Sequence, residues 1–135
     1  MNPRERMRFS NRKAVIWLLE HGYDDIWLKP HTRRHDLVYT SGEWYRALDL
    51  WNLFDGICFD EEGNVVFIQI KTNSWPPTKP ITDFMRYKKN IKVISINVFK
   101  KKNRWDIKVR EYFNNNDIKD NYNDKQNSDS VRRLQ

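Results

Sequence analysis

Two short β-branched and aromatic runs, Leu53–Phe59 and Val65–Lys71, flank the stretch Asp60-Glu61-Glu62-Gly63-Asn64, and this pairing constrains the fold more than any other segment. The intervening residues have the turn chemistry of a hairpin. Polar residues interrupt both runs where an ordinary core would be apolar. Side chains alternate across a strand, so Gln69 and Lys71 share a face with Val65 and Phe67, spaced about 7 Å apart at about 3.4 Å per residue. Asp55 is expected to reach that face from the neighbouring strand. A carboxylate, an amide oxygen and an ammonium converging on one hairpin suit a divalent cation and a phosphate.

The chain has 135 residues, enough for one domain with a single core. Hydrophobic residues at 39% and aromatics at 14% support folding over general disorder. The six tryptophans predict an aromatic core. No apolar run approaches membrane-spanning length, so no membrane partner is expected. Arg4, Arg6 and Arg8, with no apolar segment behind them, do not read as a signal peptide. Cys58 is the sole cysteine and falls inside an expected strand, which fits an intracellular, cytoplasmic location.

The net charge of +7 is unevenly spread. Residues 1–70 carry 9 Lys/Arg against 11 Asp/Glu, residues 71–110 carry 12 against 2, and residues 111–135 carry 4 against 5. A positive block beginning at Lys71 attracts a polyanion, and nucleic acid is the commonest.

Along the chain, residues 1–9 read as a flexible basic arm. Ser10 suits an N-cap, and Ala14, Val15, Leu18 and Leu19 recur at helical spacing up to Gly22, a C′ residue. Ile26–Leu28 reads as a short strand. Residues 31–48 fit either a hairpin around Ser41-Gly42 or a loop with a helical turn. After the 53–71 hairpin, Pro80 suits the first turn of a second helix, and Ile81, Phe84, Met85 and Lys88 lie along one side of it. Ile91–Phe99 and Trp105–Val109 are strands joined through Lys100–Asn103. Residues 1–112 form the expected domain, and 113–135 read as a mobile polar tail. The order implies an α/β fold, a mixed sheet of about five strands flanked by helices.

With that order in place, Asp55, a thirteen-residue gap and then Gln69-Ile70-Lys71 resemble the core of the PD-(D/E)xK, restriction-endonuclease-like nucleases. The likeness is greatest to the small Holliday-junction-resolvase-like branch and covers roughly residues 10–110. Gly22-Tyr23 at the end of the first helix, Asp49–Asp55 and Ile68–Thr72 carry it. Gln69 stands where most members have Asp or Glu. The acid that resolvases carry in the first helix has Ser10 or Asn11 at the nearest position.

The resemblance implies metal-dependent DNA endonuclease activity, phosphodiester hydrolysis selective for structure more than sequence. Asp55, Gln69 and Lys71 are the implied catalytic residues. Asp55, Gln69, the backbone carbonyl of Ile70 and, as a supplementary acid, Asp49 are the implied ligands of Mg²⁺ or Mn²⁺, which take oxygen donors. Lys71 would orient the attacking water or stabilise developing charge. The implied partners are branched or duplex DNA and a second copy of the chain, with the apolar part of 37–54 as the homodimer interface. Arg33, Arg34, Lys79, Arg86, Lys88, Lys89, Lys100, Lys101, Lys102 and Arg104 are the candidate phosphate contacts. Trp75 is expected to stack on a base or to pack. The alternative expectation is a catalytically degraded nuclease fold, kept as a DNA-binding or protein-interaction module because Gln69 and the missing helix acid weaken the metal shell.

Overall fold

The computed structural model describes residues 1–29, 37–40, 43–46, 50, 53–113 and 118–122. Helix α1 (Pro3–Glu20) is followed by β1 (Asp24–Leu28), β2 (Leu37–Thr40), β3 (Glu43–Arg46), β4 (Gly56–Phe59) and β5 (Val65–Thr72). Helix α2 (Thr78–Met85), β6 (Lys92–Lys101), β7 (Arg104–Tyr112) and β8 (Ile118–Tyr122) complete the order. A six-stranded mixed sheet runs β1-β4-β5-β6-β7-β8, and β2 and β3 pair separately. Among the described strands only the β5–β6 pairing is parallel, with α2 in the crossover. The mixed sheet flanked by helices agrees with the fold class expected from the sequence.

The first helix starts earlier than expected. Asn2 caps it: its side chain accepts the Glu5 amide at 2.8 Å while the Glu5 carboxylate accepts the Asn2 amide at 3.3 Å. This capping box, with Pro3 at the first helical position, makes residues 3–9 helix and not a flexible arm. Ser10 is therefore a buried mid-helix residue. Gly22 does take the left-handed conformation, φ 89°, expected of a C′ residue. A second correction concerns Ile118–Tyr122 within the expected tail 113–135: this stretch is β8, paired antiparallel with β7 from Tyr112↔Ile118 to Lys108↔Tyr122, while 114–117 and 123–135 lie outside the described residues. The segment 31–48 includes the β2–β3 hairpin, paired from Thr40↔Glu43 to Leu37↔Arg46. Most of 37–54, expected as a dimer interface, lies outside the described residues or has undescribed side chains.

Two apolar layers sandwich the sheet. On one face, Ala14, Trp17 and Leu18 of α1 pack with Val66, Ile68, Ile94, Ile96, Val98 and Val109. On the other, Ile81 and Met85 of α2 pack with Phe54, Val93 and Tyr112, joined by Phe67 and Phe84. Strand β6 is buried from Val93 to Val98 because it is central and covered on both faces. The aromatic expectation holds on the α2 face, where Phe54, Phe67 and Phe84 stack and cross at 5.0–5.7 Å. Among the described tryptophans, Trp17 is buried and Trp105 packs against the α1-side core, whereas Trp27 is 48% exposed.

Cys58 is buried as expected, and desolvation pushes its thiol from 9.0 up to about 12. Tyr23 is shifted upward as well, first by burial and then by the adjacent Glu111 carboxylate. Both groups keep their protons more tightly in the folded chain than in the unfolded one. The Cys58 contribution to stability is complete below pH 9.0 and is lost as the pH climbs through about 12, and Tyr23 acts in the same direction once the pH passes its ordinary value of 10.0. Melting temperatures should hold up to pH 9.0 and fall progressively above it. Native Cys58 should also resist a thiol reagent until denaturant is added.

Candidate functional site

Asp55 sits immediately before β4, where three backbone segments meet. Its amide donates to the Ile68 carbonyl at 2.7 Å, and its carbonyl accepts the Lys29 amide at 2.8 Å. Gly56, next in the chain, lies so close to the Trp27 carbonyl and Leu28 that a β-carbon would collide with them. These contacts fix the Asp55 carboxylate at the end of the β4–β5 ladder. One oxygen accepts the Ile70 amide at 2.6 Å, and the other lies 3.5 Å from the Lys29 ammonium. The carboxylate borders a cleft of about 380 Å³ under the first half of α1, lined also by Arg8, Ser10, Asn11, Ile70 and Thr72. Ser10 and Thr72 bridge helix to sheet by a 2.7 Å hydroxyl–hydroxyl hydrogen bond.

Gln69 and Lys71 do not line that cleft. The β5–β6 register is unbroken from Val66↔Lys92 to Thr72↔Val98, so alternation along β5 is strict. Ile68 and Ile70 face α1, and Phe67 faces the α2 layer. Gln69 and Lys71 therefore share the Phe67 face, as the sequence predicts, while Asp55 opens on the opposite side. The expected three-group convergence is not formed.

On the α2 side, register aligns Gln69, Ser95, Arg110 and Asp120 across four strands. Arg110 donates to Asp120 at 2.8 and 3.2 Å, and its guanidinium lies 4.5 Å from the Trp75 ring centroid. Trp75 is thus a packed residue, held against a cation. Gln69 Oε1 and Ser95 Oγ are buried and find no hydrogen-bond partner among the described residues.

A hard divalent cation wants carboxylates and neutral oxygens within one shell. Here the Asp55 oxygens are engaged by an amide and an ammonium. The helix and strand residues that line the cleft with Asp55 are Met7, Arg8, Ser10, Asn11, Ile70 and Thr72, none of them acidic. Gln69 stands on the other face, and Asp49 is outside the described residues. No group of three or more His, Cys, Asp or Glu that could hold a metal occurs among the described residues. The described donor set does not fit Mg²⁺ or Mn²⁺.

The candidate phosphate contacts fall into separate patches. Lys100, Lys101, Lys102 and Arg104 are exposed at the β6–β7 turn, where Lys102 has φ 57° and Asn73 accepts the Lys100 amide at 2.8 Å. Lys79 pairs with Asp83 at 2.9 Å on α2. Arg86, Lys88 and Lys89 follow α2 and are not part of it, a correction to the expected helix. Arg33 and Arg34 lie outside the described residues. Sequence reasoning missed a further basic row, Arg4, Arg8 and Arg12, exposed at four-residue spacing on α1. The signal was present in Asn2-Pro3-Arg4-Glu5, which extends the helix through those arginines.

No protein-family model, no curated protein and no solved structure matches the chain.

Proposed function

We propose that this domain binds nucleic acid, with DNA as the first candidate, on a nuclease-like fold that lacks an assembled hydrolytic centre. One observation carries the reading: Asp55 opens toward α1 with no second acid on its cleft, while Gln69 and Lys71 project from the opposite face of β5. Exposed cations at the β6–β7 turn, after α2 and along α1 supply a footprint for phosphates. Such contacts give affinity without base readout. No helix among the described residues is long and apolar enough to cross a membrane. An intracellular site of action is part of the proposal.

The test is binding of labelled linear duplex and four-way junction DNA between about 50 and about 200 mM salt. Binding should weaken steeply with salt, be unchanged by chelator, and give no cleavage with Mg²⁺ or Mn²⁺. Replacing Lys100, Lys101 and Lys102 together by alanine should flatten the salt dependence by up to about 2.7 in log–log slope, at about 0.9 per lost phosphate contact. Failure to bind at the lowest salt defeats the proposal. Metal-dependent cleavage abolished by both Asp55→Ala and Lys71→Ala would replace it with the resolvase-like endonuclease reading, for which sedimentation of the same sample should also reveal a homodimer.

A further inference from the structure

Tyr87 is 95% exposed, the most exposed of the large hydrophobic side chains among the described residues. It stands in the loop Arg86–Asn90 with φ 67°, a left-handed conformation that L-residues with bulky side chains avoid. The loop is firmly held. The Arg86 amide donates to the Thr82 carbonyl and the Lys88 amide to the Met85 carbonyl, each at 3.1 Å. The Lys88 ammonium donates to the Phe84 carbonyl at 2.6 Å and lies 4.2 Å from the centroid of the Phe84 ring. The phenol is thus projected into solvent from an ordered base.

Folding alone gives no reason for tyrosine at this position. The ring buries almost nothing, and its backbone conformation favours glycine or asparagine. Among the other described non-glycine residues with positive φ, Asn73, Asn90 and Asp25 are of the tolerated short polar kind and Lys102 is the long-chain one, so Tyr87 is the one aromatic among them. An outlier of this kind, displayed on a loop rich in cations, points to a ligand. Arg86 and Lys89 stand one and two residues from Tyr87 in the chain and are exposed, the Arg86 guanidinium lying 3.8 Å from the Asp83 carboxylate. An exposed aromatic face on a loop that also carries exposed cations matches an unpaired base and its neighbouring phosphates, since every base presents a π face once unstacked.

We propose that Tyr87 is a stacking platform for an unpaired base of single-stranded nucleic acid, with Arg86 and Lys89 on the flanking phosphates. This rests on the nucleic-acid-binding reading and narrows its substrate to strands with accessible base faces. The full chain should be titrated with labelled oligo-dT, the matching oligo-U, and a linear duplex of equal length. Tyr87→Ala should weaken single-strand binding about 5- to 100-fold while leaving duplex binding within about twofold. Tyr87→Phe should bind single strands like the wild type, because the ring is kept. Tyr87→Gly should lose single-strand binding yet melt no lower than the wild type, since it relieves the backbone. Comparing oligo-dT with oligo-U separates DNA from RNA as the source of the base. Single-strand binding by Tyr87→Ala equal to wild type overturns the inference and leaves the broader reading standing, as does an equal loss on single strand and duplex. A wild-type chain that binds none of the three probes overturns both.

Discussion

Gly56→Ala is expected to lower the unfolding free energy by about 3 kcal/mol, a loss that urea denaturation would measure directly. The cause is steric. A β-carbon at this position meets the Trp27 carbonyl and the Leu28 backbone and side chain, and backbone cannot rotate out of the way as a flexible side chain would. Relief requires β1 to move off β4, which breaks the register at Trp27↔Ile57 and Leu28↔Gly56. It also displaces the Lys29 amide from the Asp55 carbonyl, so the cleft under α1 should lose its shape with the strand pair. Gly63 is the natural control. It has φ 81° with open space around it, so Gly63→Ala incurs only the conformational cost, about 1 kcal/mol. Equal losses at the two glycines would contradict the steric account.

The second large effect is at Glu111. Tyr23 donates to its carboxylate at 2.9 Å, and the Lys92 ammonium lies 3.6 Å from the same oxygen. Lys92 also donates to the Tyr23 hydroxyl at 2.6 Å, and its ammonium lies 4.8 Å from the Tyr23 ring centroid and 5.5 Å from that of Phe113. Glu111 and Tyr23 are buried, and the Lys92 side chain is 18% exposed. Glu111→Ala strands that ammonium without its counter-charge and should destabilise the fold by about 3–5 kcal/mol. Glu111→Gln keeps an acceptor for Tyr23 and should lose less. Converting Lys92 to Met and Glu111 to Leu together should recover most of the loss, because an apolar pair avoids desolvating two charges. If the double replacement is as unstable as Glu111→Ala, the damage comes from packing and not from the stranded charge.

Much of the sheet was legible because its strands announce themselves. Val65–Lys71 and Ile91–Phe99 are β-branched runs bounded by turn residues, and both appear as strands shifted by only a residue or two at their ends. The start of α1 was misjudged because Ser10, an attractive cap by residue type, competes with the earlier Asn2–Glu5 box. Strand β8 was invisible to periodicity. Its polar residues are held by a cross-strand partner, Arg110 on Asp120, and pairing of that kind is not written in a local pattern. The candidate site failed for a subtler reason. Period two correctly groups Gln69 with Lys71, but it governs one strand at a time. Asp55 precedes β4, and the hydrogen bond from the Ile70 amide turns its carboxylate toward α1.

The attachment of α1 has a consequence for synthesis. Trp17 and Leu18 are covered by strands extending to Val109, and Tyr23 finds its acceptor 88 residues downstream. Helix α1 therefore keeps an apolar stripe bare until β7 has been translated, since contacts of such long sequence separation form late. During that interval the nascent chain is most exposed to sticking to its neighbours, and a chaperone that shields the stripe would act before the final hairpin closes.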